Sequence, residues 1–389
     1  MKNRLTKLFS FLLVACLAFS AFFLTGCKKS SDTIKIGFSG PLTGGAAVYG
    51  EAVLNSAKLA VEEINEKGGV NGYKLELLSR DDAHDATKVS TNYASLLEAG
   101  MQISLGCVTT KPCLEFCKLS AQDNLFFITP SATGDAVAAK DNAYQMCFAD
   151  TRQGTFSADY VNKNIDKTTK IGVLYRSGDE YSQGIYEKFM AEIDSDFDVV
   201  VASFNEDAPT DFNSQIGLLK DCGFIFLPIY YGPASTFMKL AKDTISKDCV
   251  YFGCDGLDGI DTSIEGFDIN IIPQEVSFLS HFNSKATEGA SKEFIDKYIA
   301  KYGAATLNQF GASAYDCIYA LAKALKEIAE KDASAVTPNA KPSDLCNLLK
   351  EKFQGGFTFD GVTGTNIRWD KDGFVNKEAV KYIVKSKNA

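Results

Sequence analysis

The residues best placed to meet a ligand lie in loops that follow β-rich runs and precede helical ones. After the run 34–38 comes Gly40-Pro41-Leu42-Thr43-Gly44-Gly45-Ala46-Ala47-Val48-Tyr49-Gly50, and after 103–107 comes Val108-Thr109-Thr110-Lys111-Pro112. A third loop, Thr129-Pro130-Ser131-Ala132-Thr133-Gly134, adds further hydroxyls. In the second half, Gly178-Asp179-Glu180-Tyr181-Ser182, Tyr230-Tyr231-Gly232-Pro233 and Cys254-Asp255-Gly256 stand in equivalent places. A hydroxyl serves either sign, since its oxygen accepts from an ammonium and its hydrogen donates to a carboxylate. Thr110, two residues before Pro112, stands where a helix begins, so its side chain and exposed N–H groups could hold a carboxylate. Asp255 offers the opposite, a carboxylate for an ammonium. Together they are complementary to a zwitterion. Each residue also has a plainer use: Thr110 as a helix cap, Asp255-Gly256 as ordinary turn chemistry, Tyr49 as a cover for a sheet edge.

The means of catalysis are sparse. The chain has two histidines, His84 and His281, and no Gly-x-Ser-x-Gly, His-Glu-x-x-His, Gly-x-Gly-x-x-Gly or Gly-Lys-Ser/Thr motif. Asp81-Asp82-Ala83-His84-Asp85 has the residue types of a metal cluster, but it sits between a strand and a helix, where Asp85 suits an N-cap and the other carboxylates suit solvent. Of eleven cysteines, two precede residue 28 and nine follow it, an odd number that leaves at least one thiol free. Cys113 and Cys117 lie one helical turn apart, a poor spacing for a disulfide, and the nine read as small buried apolar residues. We expect no enzyme, no cofactor and no metal.

The elements that must position these loops alternate in kind. β-rich runs at 34–38, 74–78, 103–107, 125–128, 170–175, 199–204, 224–228 and 250–253 are separated by helical stretches such as 52–66, where Val53, Ala57, Ala60, Val61 and Ile64 share one face. Gly68-Gly69 stops that helix. Long helices follow at 288–302 and 309–330, and 333–343 reads as an exposed loop. Regular β-α alternation implies parallel sheets, and this many units implies two of them, an α/β architecture of two doubly wound lobes.

Lys2, Arg4 and Lys7 precede an apolar and small-residue run at 8–23, which ends in Leu24-Thr25-Gly26-Cys27. That order reads as a lipoprotein signal: 1–26 removed, Cys27 acylated, and 27–32 a polar tether to the bilayer. The protein is then expected outside the cytoplasm, anchored in the cell membrane. Loss of three basic residues takes the formal net charge from −9 to −12. An acidic chain without a basic run is a poor nucleic-acid binder.

The chain resembles the branched-chain amino-acid (Leu/Ile/Val-type) substrate-binding proteins of ABC importers, which have the type I periplasmic-binding fold. The resemblance is carried by Gly40-Pro41-Leu42-Thr43-Gly44 through Tyr49-Gly50, by Glu63-Ile64-Asn65-Glu66-Lys67-Gly68-Gly69-Val70-Asn71-Gly72, and by Asp81-Asp82 with Asp85. Thr129-Pro130-Ser131-Ala132-Thr133, Tyr181 with Gly184, and Phe359-Asp360-Gly361-Val362-Thr363-Gly364 continue it in order. It implies two lobes, 33–149 plus 278–375 and 150–277 plus 376–389, joined by three crossovers. By the same resemblance, Thr110 and Thr133 bind a ligand carboxylate, while the Ser131 carbonyl and the Asp255 side chain receive its ammonium. Tyr49, Tyr181, Tyr230 or Tyr231, and Phe310 line the cleft. The implied partners are a small-molecule amino acid, apolar or aromatic, and a membrane permease, with the carrier itself a monomer. A lipid-anchored sensor, or the same scaffold binding an amide, a short peptide or an aromatic acid, is the alternative. Departures from the family pattern are His84 for a cysteine, Lys111-Pro112 for small hydroxyl residues, Ser131 for a smaller residue, and Asp255 for a frequent glutamate.

Overall fold

The computed structural model describes residues 33–206, 209–261 and 266–386. The expected signal 1–26, Cys27 and the tether up to residue 32 lie outside the described residues. Strands β1 (Thr33–Gly40), β2 (Lys74–Asp81), β3 (Ile103–Ser104), β4 (Phe127–Thr129) and β5 (Ala143–Gln145) form a parallel sheet in the order β2-β1-β3-β4-β5. A second sheet contains β6 (Ile171–Arg176), β7 (Val199–Phe204), β8 (Phe224–Leu227), β9 (Val250–Gly253) and β10 (Glu275–Ser280). After a hairpin of β11 (Phe359–Gly361) and β12 (Gly364–Ile367), strand β13 (Val380–Lys385) returns to it. The order is β13-β10-β9-β8-β6-β7, and β13 alone runs antiparallel.

The helices are α1 (Ala47–Glu66), α2 (Val89–Glu98), α3 (Thr110–Gln122), α4 (Asp150–Asn164), α5 (Glu180–Glu192), α6 (Asn213–Leu219), α7 (Tyr231–Ala241), α8 (Gly289–Tyr302), α9 (Gln309–Ala329) and α10 (Pro342–Gln354). They cover both faces of the central strands, which is why β8 is buried at every residue and β1 at Ile34, Ile36 and Phe38. Helices α1 and α9 approach closely because Gly311 has no side chain: a Cβ there would lie 2.8 Å from Ser56 Oγ and 3.0 Å from the Ala52 carbonyl. The nine cysteines from Cys107 to Cys346 are all buried and carry thiols outside any disulfide, as the composition suggested.

Differences from the sequence expectation are local. Helix α1 starts at Ala47, so Tyr49 lies inside its first turn. The run 103–107 keeps its inter-strand bonds, with Leu105 N–H donating to the Gly37 carbonyl at 2.7 Å, but the positive φ of Gly106 ends the regular strand after Ser104. The stretch 333–343 holds a 3₁₀ turn at Ala333–Ala335 and the start of α10, where Pro342 occupies the helix position that lacks an internal N–H partner.

The chain passes between sheets at 146–149, after β10, and before β13. Residues from each passage meet in a buried polar knot: His281 Nε2 lies 2.6 Å from Ser313 Oγ, Lys377 Nζ reaches the same oxygen at 3.5 Å, and Phe148 sets its ring edge-on against His281. Among the described residues, no helix is long and apolar enough to cross a membrane, and no group of three or more His, Cys, Asp or Glu is placed to hold a metal ion.

Candidate functional site

Each sheet has a switch point, where successive connections leave to opposite sides. In the first sheet β1 leads outward to β2 and the chain returns to β3 on the other side, so the loops after β1 and β3 flank a crevice at the strand carboxyl ends. Those loops carry Tyr49 and Thr109-Thr110. In the second sheet β6 and β8 flank the equivalent crevice, and their loops deliver Tyr181 and Tyr230. Asp255 follows the adjacent strand β9.

The first-lobe wall is built from fixed backbone. Thr129 Oγ1 donates to the Cys107 carbonyl at 2.8 Å and accepts from Ala132 N–H at 3.0 Å, while Gln145 Nε2 donates to the carbonyls of Ala132 and Gly134. These bonds hold Ser131 and Thr133 at the crevice. The expected capping role of Thr110 is not what the structure shows: Thr109 is the cap residue of α3 and makes no side-chain cap bond, because its hydroxyl lies 2.8 Å from His84 Nδ1. Thr110 is the first helical residue, and its Oγ1 accepts from Gly134 N–H at 3.3 Å. That bond joins the two threonine loops.

The second-lobe wall centres on Asp255, only 1 % exposed. Its Oδ1 accepts from the Tyr181 hydroxyl at 2.8 Å, Gln153 Oε1 accepts from its backbone N–H at 3.0 Å, and the Tyr181 oxygen also accepts from Gly256 N–H at 2.8 Å. Oδ2 is buried without a hydrogen-bond partner. Burial pushes this carboxyl up to about 7, against the lowering effect of the bonds from Tyr181 and Gln153. Tyr230 stacks on Tyr181, ring centroids 4.7 Å apart. Asp150, at the start of α4, is also buried and pushed well above the carboxylate range, by burial first, with its Thr133 hydrogen bond acting the other way.

The two walls meet at Tyr49. Its hydroxyl donates to the Gly256 carbonyl at 2.5 Å and accepts from Tyr231 N–H at 3.4 Å, and its ring stands edge-on to Tyr231 and Phe310. The space between the walls is lined by Tyr49, Thr110, Ser131, Thr133, Tyr181, Tyr230, Asp255 and Phe310, and as the lobes stand it has room for about one water. Eight of the nine ligand-contact residues expected from the sequence therefore share one cavity. Tyr231 stands behind Tyr49 rather than in the wall. Sequence reasoning passed over Val108, Thr109 and Gly256, which also line it, and over Gln153, which orients Asp255. Val108 and Thr109 were within reach of the strand-end argument; Gln153 gave no signal, being a polar residue in the first turn of a helix. Chemically, the arrangement offers an unmatched acceptor on one side and hydroxyls with a helix start on the other, framed by aromatic rings.

A family model described as periplasmic binding protein matches residues 33–389. A leucine-, isoleucine-, valine-, threonine- and alanine-binding protein of Pseudomonas aeruginosa is 26% identical over 385 residues, covering 95% of this chain and 93% of that protein. Among solved structures, a branched-chain amino-acid transporter substrate-binding protein of Streptococcus pneumoniae, in complex with isoleucine, superposes with a TM-score of 0.76 at 25% identity. It covers 92% of this chain and 97% of its own. A solute-binding protein of an ABC transporter from R. palustris, in complex with benzoate, has a TM-score of 0.74 at 17% identity over 91% of this chain and 94% of its own.

Proposed function

The chain belongs to the periplasmic binding protein family, and from that premise we propose that it captures an amino acid between its two lobes and presents it to an ABC importer. The lobes in this reading are 33–149 plus 278–375 and 150–277 plus 376–389. The captured ligand is apolar or aromatic in its side chain, because the aromatic rings frame the space beside the polar groups. Thr110, Thr133 and the start of α3 take its carboxylate; Asp255 and the Ser131 carbonyl take its ammonium. Acylated Cys27 holds the carrier at the membrane within reach of the permease.

The observation that carries this reading is Asp255 Oδ2, buried at the cavity with no partner. A buried acceptor left unmatched is costly, and an ammonium satisfies it with a charge-assisted bond. An aromatic acid such as benzoate has no ammonium and would leave the Asp255 carboxyl buried and unmatched. A thermal-shift panel of amino acids and benzoates, on protein lacking residues 1–27, identifies ligands by stabilisation of the folded state. Asp255→Ala is then expected to weaken the best amino acid by roughly 1–3 kcal/mol in titration calorimetry. Unchanged affinity in that variant, or stabilisation by benzoate alone, sinks the amino-acid reading.

A further inference from the structure

The turn that carries Asp255 is tied to the opposite lobe by a second acid. Asp255–Leu257 form one 3₁₀ turn, and Asp258 closes it with its N–H donating to the Asp255 carbonyl at 2.9 Å. The Asp258 side chain reaches the first lobe: its Oδ2 accepts from Gln309 N–H at 2.9 Å, at the first residue of α9. That N–H needs a partner. Gln309 is fully buried, and a helix has no internal acceptor for its first N–H groups. The next two, at Phe310 and Gly311, are both taken by the Asn308 side chain, so the start of α9 is completed only by Asp258. The same Gln309 holds the crossover after β10, donating from Nε2 to the Leu279 carbonyl and accepting from His281 N–H. Phe310, the following residue, lines the cavity.

Resting on the amino-acid reading above, we propose that Asp258 is a positioning residue for capture: its carboxylate caps α9 across the cleft and so holds the Asp255 turn against the first lobe when the lobes meet. The Tyr49 hydroxyl bond to the Gly256 carbonyl is a second tie between the same turn and the first lobe. Burial pushes the Asp258 carboxyl up to about 7 against the lowering effect of the Gln309 bond, so near neutral pH the acceptor oxygen carries this tie more than the charge does. Asp255 recognises; Asp258 keeps the recognising turn in place.

Two measurements test this on the full mature chain, its variants Asp258→Asn and Asp258→Ala checked for folding by circular dichroism. Surface plasmon resonance with L-leucine as the probe should show Asp258→Ala dissociating about five- to tenfold faster, with the association rate within about twofold and Asp258→Asn in between. Small-angle scattering without amino acid should show a larger radius of gyration for Asp258→Ala than for the wild type. A purely structural role would lower the melting temperature and leave dissociation unmoved. If the wild type does not bind L-leucine, scattering alone decides, since lobe opening needs no ligand. Equal radii of gyration with unchanged dissociation overturn the proposal, and Asp258→Asn supplies the same comparison should Asp258→Ala fail to fold.

Discussion

Asp255 faces two opposed demands, and pH separates them. Its folded-state carboxyl is raised from the ordinary value to about 7 by burial, so the folded chain holds a proton there across the range in which the unfolded chain has lost it. This group's contribution to stability is therefore greatest at acid pH, falls as pH rises toward about 7, and stays reduced above it. Ligand binding runs the other way, because an ammonium needs the ionised carboxylate. Affinity for an amino acid is expected to fall about tenfold per pH unit below 7, with uptake of ligand at pH 6 releasing close to one proton. Calorimetry in buffers of different ionisation enthalpy measures that proton; none released would contradict the assignment. Asp255→Asn should bind poorly yet melt higher than wild type at pH 8 without ligand, since the amide keeps the Tyr181 bond and removes a buried charge. The residue types of this site were legible in the sequence because loops at strand ends are few. Their partners were not, since neither Gln153 nor Asp258 is distinguishable from surface polarity until the fold brings it to Asp255 or Gln309.

At the scale of elements, the site depends on how α1 leaves β1. Gly50 lies in the first turn of α1, directly after Tyr49, and a Cβ there would fall 1.8 Å from the Pro41 carbonyl oxygen. The loop cannot yield by rotating a side chain, because the obstacle is backbone. Gly50→Ala should therefore shift α1 or the Pro41 loop, costing about 1–3 kcal/mol in chemical denaturation and breaking the Tyr49 contact to the second lobe. Wild-type stability together with wild-type ligand affinity would show that the loop absorbs the methyl group. Most elements were readable from periodicity: α1 from its apolar face, β8 and β9 as continuous apolar runs. The short strand β5 was not, since three residues carry no usable period, and β3 was overextended because its last residues are bonded like a strand around a left-handed glycine. Helix α3 begins at Thr110, one residue earlier than a Thr110 cap would place it, so the cap position falls to Thr109, whose hydroxyl is engaged by His84 from the loop after β2 and makes no cap bond.

At the scale of the molecule, regular alternation was enough to require two parallel sheets; the resemblance added only that 376–389 returns to the second lobe, and the antiparallel pairing of β13 with β10 was not foreseen. Local pattern has no access to it, because the partners are separated by three helices, α8 to α10, and a hairpin. Among the described residues, the nine thiols from Cys107 to Cys346 form no disulfide with one another, so burial, hydrogen bonds and ion pairs hold these elements together. Burial raises the Cys107 thiol, burial and then the Cys107 sulfur raise Cys113, and the Cys113 sulfur ahead of burial raises Cys117, which suppresses the thiolate that would react. Protein lacking residues 1–27, kept without reductant, should then give almost no reaction with a thiol reagent while folded. In denaturant it should give all nine thiols. Its melting temperature should be the same with and without reductant, because there is no cross-link whose loss would loosen the unfolded chain. A titre of seven or fewer in denaturant would reveal a disulfide. With no such bond, contacts across the cleft, among them Tyr49 to Gly256 and Tyr231 and Gln309 to Asp258, resist lobe opening, and in the proposed reading a ligand that completes Asp255 adds to them.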